Sequence, residues 1–219
     1  MAKSLNNLGE VLVDVGLADS ANACFGQSYA ICQKLGYTKG MIKSIQNRGV
    51  VFGKHGQTKL AVSDFNNALQ LSQQIGYDKG TLDAHLQLAR VSLSLADHKR
   101  AEGHATLGLA LALEKNVLTN ARDFYQILSD IKALQAKYRQ SLEFYKKYAQ
   151  AKDEILNLET NQKIAELEAH YEIDINQREN TLLKQDNQIK TLQLKQQSSL
   201  IISISVIFVF AGNHSGNYL

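Results

Sequence analysis

Proline and tryptophan are absent from these 219 residues, and cysteine and methionine occur twice each. No stretch alternates apolar and polar residues as a half-buried strand would, so helix is the expected element throughout. Cys24 and Cys32 stand eight apart on one expected helix, about 12 Å along its axis, too far for a disulfide. They read as small buried hydrophobes. There is no glycine-rich phosphate loop, because the glycines fall at expected turns. The six histidines are His55, His85, His98, His104, His170 and His214. None stands three or four residues from another, so no helical metal pair forms. His98 and His104 straddle an expected turn, and nothing around His170 makes a kinase motif. The formal net charge of +3 is too small and too dispersed for a nucleic-acid footprint. No nucleophile, base or metal cluster presents itself. Neither an enzyme nor a cofactor or metal site is expected.

What the chain does have is a phrase that occurs twice. Leu35-Gly36-Tyr37-Thr38-Lys39-Gly40 reappears forty residues on as Ile75-Gly76-Tyr77-Asp78-Lys79-Gly80. A fixed period means one small unit stacked along the chain. The register holds four times, over 3–42, 43–82, 83–122 and 123–155. Each unit has a large residue early (Leu5, Ile45, His85, Tyr125), then Leu8, Arg48, Leu88 or Leu128. A small residue follows (Gly9, Gly49, Ala89, Ser129), then a turn residue (Gly16, Gly56, Ala96, Ala136). Another small residue comes next (Ala21, Ala61, Ala101, Ser141), and then Phe25, Phe65, Ala105 or Tyr145. Apolar residues at spacings of three and four share a helix face. Gly16 and Gly56 suit a helix C-terminus that needs positive φ. The small residues let two antiparallel helices approach, and the aromatic fills the gap to the next unit. Each unit therefore reads as helix, turn, helix.

This pattern resembles the tetratricopeptide repeat (TPR), carried by Leu8-Gly9, Ala21 and Phe25 and by Gly49, Ala61, Phe65 and Ala68. The resemblance covers 1–155 and implies an all-α solenoid of helical hairpins. Units three and four are degenerate, and the proline usual near the end of the second helix is missing. A period of 40 rather than about 34 implies a longer second helix. The chain enters its first helix at Met1-Ala2-Lys3, as a fragment of a longer array or a short array with an exposed end would.

After Tyr148 the pattern dissolves into one polar helix with a thin apolar seam, expected as a coiled-coil linker over 156–198. Its residues are Ile164, Leu167, Tyr171, Ile175, Leu182, Ile189 and Leu192, with steps of three, four, four, seven, seven and three. The extra four is a stutter, which unwinds a left-handed supercoil locally. No glycine or proline interrupts 149–197, which would make a helix about 70 Å long. A parallel homodimer through 156–198 would bury the seam; a lone helix capping the last repeat is the alternative. Charge drifts along it from acidic (Glu159 to Glu179) to basic (Lys184 to Lys195), which favours the helix dipole.

Leu200 to Gly212 then carries no charge. A bilayer core needs about 20 residues, so 199–212 is expected as part of a transmembrane helix, and 213–219 as a disordered tail after a truncation or a shifted reading frame. The order of array, long helix and span resembles bacterial membrane sensors whose outputs are histidine kinases, diguanylate cyclases or DNA-binding regulators. Tyr145-Lys146-Lys147-Tyr148 with Ala151-Lys152-Asp153 resembles their last repeat. Asn161 to Leu167 with Tyr171-Glu172 resembles their linker, and Leu182 to Asn187 with Leu192 to Lys195 their approach to the membrane. The resemblance implies a single-pass protein of the bacterial inner membrane, with the output domain missing. Free thiols, the lack of an opening signal-peptide pattern and lysines before the span favour a cytoplasmic array. The family places its repeats outside, so the side stays open.

TPR arrays line their concave face with first helices. The outward positions there are Lys3, Asn6 and Glu10; Lys43, Gln46 and Val50; Asp83, Leu86 and Arg90; Asp123, Gln126 and Asp130. The N-terminal half is basic and amide-rich, and the C-terminal half mostly acidic. An extended protein or peptide ligand would place carboxylates near Lys3 and Lys43. The functional expectation is a non-catalytic signal-input module, with a freestanding soluble or peripheral TPR adaptor as the alternative.

Overall fold

A computed structural model describes residues 1–215, with side chains through Ile202 and at Ile204 and Ser205. The expected tail reaches beyond the described residues. Eight α-helices are present among them and no strand. They are α1 (Ala2–Asp14), α2 (Ala18–Lys34), α3 (Thr38–Lys54), α4 (Thr58–Gln74), α5 (Asp78–Ser94), α6 (His98–Glu114), α7 (Leu118–Leu134) and α8 (Tyr138–Ser215). Two compact units divide at Asn157/Leu158.

In the first unit, α2 to α7 are each 17 residues long. The expectation of a longer second helix is therefore corrected: the lengthening over a 34-residue repeat is shared by both helices of the hairpin. The cause is a stop signal that recurs every twenty residues. Gly16, Gly36, Gly56, Gly76, Ala96, Asn116 and Ala136 all have positive φ. At each, the following N–H bonds back across the helix end, as Leu17 N–H does to Leu12 C=O (2.8 Å) and Tyr37 N–H to Cys32 C=O (2.8 Å). The left-handed residue itself donates to the carbonyl three back, as Gly36 does to Gln33 (3.1 Å). This is the Schellman pattern. The residue after the stop is also the N-cap of the next helix, so seven junctions need only three residues each. Among the caps of α1 to α7 in the described residues, Asp97 alone caps with its own side chain, accepting from Arg100 N–H at 3.0 Å.

Packing follows the small residues. A Cβ on Gly9 would lie 2.4 Å from the Phe25 ring, and one on Gly49 would lie 2.7 Å from that of Phe65. Phe25 and Phe65 are buried, as are Ala21, Ala61 and Ala101. In the third hairpin the same contact pairs Ala89 with Ala105, both buried. In the fourth, Tyr145 does not fill the gap: it is exposed and its ring lies 5.7 Å from that of Tyr148. Ser129 takes the space instead, donating to Ser141 C=O at 3.0 Å. Leu86, expected outward, packs in the core with Ala101, Ala105 and Phe124.

In the second unit the chain is helical through Ser215, and every side chain described is exposed. Seam residues Ile164, Leu167, Leu182 and Leu192 are all bare. Local pairs brace the turns: Arg178–Asp174 at 2.8 Å and Lys190–Asp186 at 2.7 Å, both four residues apart. Thr181 and Thr191 hydroxyls donate to carbonyls one turn back. For the expected partial span at 199–212, no described helix is long and apolar enough to cross a membrane.

Candidate functional site

The first helices α1, α3, α5 and α7 lie side by side, each touching the next. Their shared face carries a groove of about 420 Å³ across α1, α3 and α5. Five of the twelve expected outward positions line it: Lys3, Asn6, Lys43, Gln46 and Asp83. A second hollow, of about 350 Å³, lies farther along α3 and α5 and includes Val50 and Arg90. Gln126 and Asp130 are exposed on α7 and line neither.

The face is less free than its sequence suggests, because its side chains bond to one another. Lys43 pairs with Glu10 at 2.8 Å, and Asn47 adds a second donor to that carboxylate at 2.9 Å. The Lys43 bond is the main cause of a lowered Glu10 pKa, with Asn47 assisting against burial. Arg90 reaches Asp123 at 3.5 Å, where Arg122 also binds at 2.6 Å. Asn6 and Gln46 are not outward: both are nearly buried. Asn6 Nδ2 donates to Ser44 Oγ (3.1 Å), which donates to Ser28 Oγ (2.9 Å). Forty residues on, Ser44 is replaced by Ala84, and the longer Gln46 reaches Gly80 C=O instead at 2.9 Å. These amides tie hairpin to hairpin.

The lysines left over are Lys3, Lys39 and Lys79. Lys39 Nζ lies 5.2 Å from the centre of the Tyr77 ring, within range for a cation–π contact. The lone carboxyl among the described lining residues is Asp83. Burial raises its pKa, against Lys79, an Asn120 hydrogen bond and Lys43. Tyr77 is also raised, first by burial and then by Asp83. Lys3, Lys39 and Lys79 outnumber that one carboxyl, so the wall is cationic. The duplicated phrase builds it: Tyr37 and Tyr77 cap α3 and α5, and Gly40 and Gly80 leave room for their rings. A Cβ at either glycine would fall 2.5 Å from its tyrosine ring.

One pair escaped the sequence reading. His85 Nδ1 and His104 Nδ1 lie 3.1 Å apart, joining α5 to α6. His98 and His104 do not straddle a turn; both are on α6. Burial, then the charge of His104, lowers the His85 pKa to about 4. Burial and Arg100 lower that of His104. A neutral pair can share one proton as a hydrogen bond. The signal was available in the repeat: forty residues on, the same places hold Tyr125 and Phe144, whose rings are 6.4 Å apart. Among the described residues no three His, Cys, Asp or Glu side chains gather as a metal site would need.

No protein-family model matches the chain, and no characterised protein matches it in sequence. Solved structures do match in fold. The apo form of RapI superposes with a TM-score of 0.66 at 16% identity, over 74% of this chain and 59% of its own. Aspartyl phosphate phosphatase F from Bacillus subtilis gives 0.67 at 15% identity, over 70% and 40%. BtubC from P. vanneervenii gives 0.62 at 13% identity, over 70% and 64%. The chain thus spans less than two thirds of each of these proteins. At such identities the likeness is one of fold, and the fold is a TPR-like array of helical hairpins.

Proposed function

We propose that this chain is a non-catalytic binding module whose first-helix face holds a protein or peptide partner. The observation that carries this reading is the groove across α1, α3 and α5, where Lys3, Lys39 and Lys79 face solvent beside two tyrosine rings and Asp83 is the one carboxyl among the described lining residues. Repeat arrays present extended surfaces of this kind. The test is photo-cross-linking in the source cell from Lys3 and Gln126 on this face, compared with Leu60 and Leu107, which are exposed on the second helices α4 and α6. Discrete adducts from the first pair are expected. Adducts confined to the second pair would sink the proposal.

We further propose that 156–198 pairs with a second copy in parallel, as in the input half of a membrane-anchored sensor. The bare seam motivates this, since a coiled-coil seam is normally covered. Sedimentation should give a dimer that becomes a monomer in Leu182→Asp/Ile189→Asp. A monomeric wild type overturns the pairing. A freestanding adaptor is the second reading, motivated by an array whose groove is complete without the distal helix. Membrane fractionation separates the two: release by salt alone favours the adaptor, and a need for detergent favours the anchored sensor.

A further inference from the structure

The groove owes its chemistry to the duplicated phrase. In each copy the glycine stops one helix, the tyrosine caps the next, and the lysine is the second residue of the new helix. The N-terminal ends of α3 and α5 therefore each carry a tyrosine ring and an ammonium group. Neither tyrosine caps its helix with a side-chain hydrogen bond, so the positive end of each helix dipole is left open to an anion; on α3 the Thr38 and Gly40 N–H groups bond to backbone carbonyls, and on α5 the first-turn Asp78 is paired with Lys115 at 3.4 Å. The two corners meet where Lys39 lies over Tyr77. A third, independent feature sits on α1. Asn6 is 5% exposed and lines the groove, and its Oδ1 has no hydrogen-bond partner. A buried acceptor without a donor is costly, and a peptide N–H is the donor an extended ligand offers.

We propose that the groove binds an extended acidic segment of a partner protein, seating two carboxylates on the Lys39 and Lys79 corners with its backbone beside Asn6. This deepens the reading of the first-helix face and rests on it. Neighbouring helices pack about 8–10 Å apart, so the helix ends at consecutive corners stand roughly 10 Å apart, which an extended polyproline-II segment, with three residues per turn and about 3.1 Å per residue, spans in three with both side chains on one face. The preferred ligand therefore carries acidic residues three apart. Nucleic acid is disfavoured, because the same face turns acidic at Asp123 and Asp130 and the whole chain carries only +3.

The test uses the full chain and three blocked synthetic peptides, read by fluorescence anisotropy. One has two glutamates three residues apart, one has glutamines in their place, and one has the glutamates adjacent. The spaced glutamate peptide should bind about tenfold or more tighter than the glutamine peptide, the scale of two or three partly exposed ion pairs. Its binding should weaken as salt rises. Lys39→Gln/Lys79→Gln should remove that advantage, while Lys146→Gln/Lys152→Gln on α8 should leave it. Equal affinity for the glutamate and glutamine peptides overturns the acidic ligand but leaves the first-helix face as the binding face. Tight binding that survives the Lys39/Lys79 change overturns the site. Equal binding of the spaced and adjacent peptides overturns the two-corner geometry. No binding by any peptide overturns the proposal, and the cross-linking from Lys3 and Gln126 then decides separately whether the face binds at all.

Discussion

Hairpin two (α3–α4) and hairpin three (α5–α6) share one backbone and fill it differently. At the contact inside the hairpin, Gly49 faces Phe65 in the first and Ala89 faces Ala105 in the second. Between hairpins, Ser28 bonds Ser44, Ala68 packs in the same cluster as Ala84, and Gly108 faces Phe124. Each pair trades a large side chain against an absent one, or splits the volume evenly. The paired places held by Ile45 and Asp64 in hairpin two hold His85 and His104 in hairpin three. Asp64 turns instead to Arg48, which donates twice at 2.8 and 2.7 Å. Cores demand filled volume more than particular residues, so the repeat can drift in sequence while its geometry persists.

The comparison can be broken most severely by emptying one side of a traded pair. Phe124→Ala should cost about 3–5 kcal/mol in urea unfolding, since Gly108 offers nothing to fill the cavity. Next comes the histidine pair. The unfolded chain takes up a proton near pH 6.5, while buried His85 does so only at about 4. Between these values the unfolded state holds more protons. Stability is therefore complete above about pH 7 and falls as pH drops towards 4, by up to roughly 3 kcal/mol. His85→Tyr/His104→Phe, which installs the pair of hairpin four, should flatten that limb relative to wild type. An unchanged limb would mean the pair does not govern it.

Volume trading can be tested by exchange. Ala105→Phe alone should cost about 1–3 kcal/mol by overpacking. Adding Ala89→Gly recreates the hairpin-two arrangement, and the double variant should be more stable than the two single costs predict by about 1 kcal/mol. Strict additivity would refute the trade. Ala96→Gly should gain roughly 1 kcal/mol, because alanine there holds a left-handed backbone that glycine adopts freely. The smallest effect belongs to the distal helix: Leu182→Ala should shift unfolding of the array by less than about 0.5 kcal/mol.

Much of this fold is written in residues that have few substitutes. Gly16 and Gly56 mark turns because a left-handed residue is needed there, and Gly9 with Phe25 marks a close approach because a Cβ would collide. Such constraints show through as a forty-residue register. The first-helix face was legible by position but not by state. Asn6 and Gln46 fall at outward spacing, yet each reaches across to the next hairpin and is buried by doing so. The Glu10–Lys43 and Arg90–Asp123 pairs link residues 33 apart in sequence, beyond any helical spacing. His85 and His104 sit on different helices, 19 residues apart, where no motif search looks. Only lining the repeats up against one another brings them into matching columns with Tyr125 and Phe144.

The seven identical stops have a consequence for how such a chain could grow or shrink. The backbone beats every twenty residues and does not distinguish an inner helix from an outer one. Only the side chains keep a beat of forty. Deleting one helix with its loop would leave every remaining junction sound, yet all downstream helices would exchange faces, burying lysines and exposing phenylalanines. Length can therefore change only in whole hairpins, and the two-stroke rhythm of the sequence acts as a parity check on a backbone that has none.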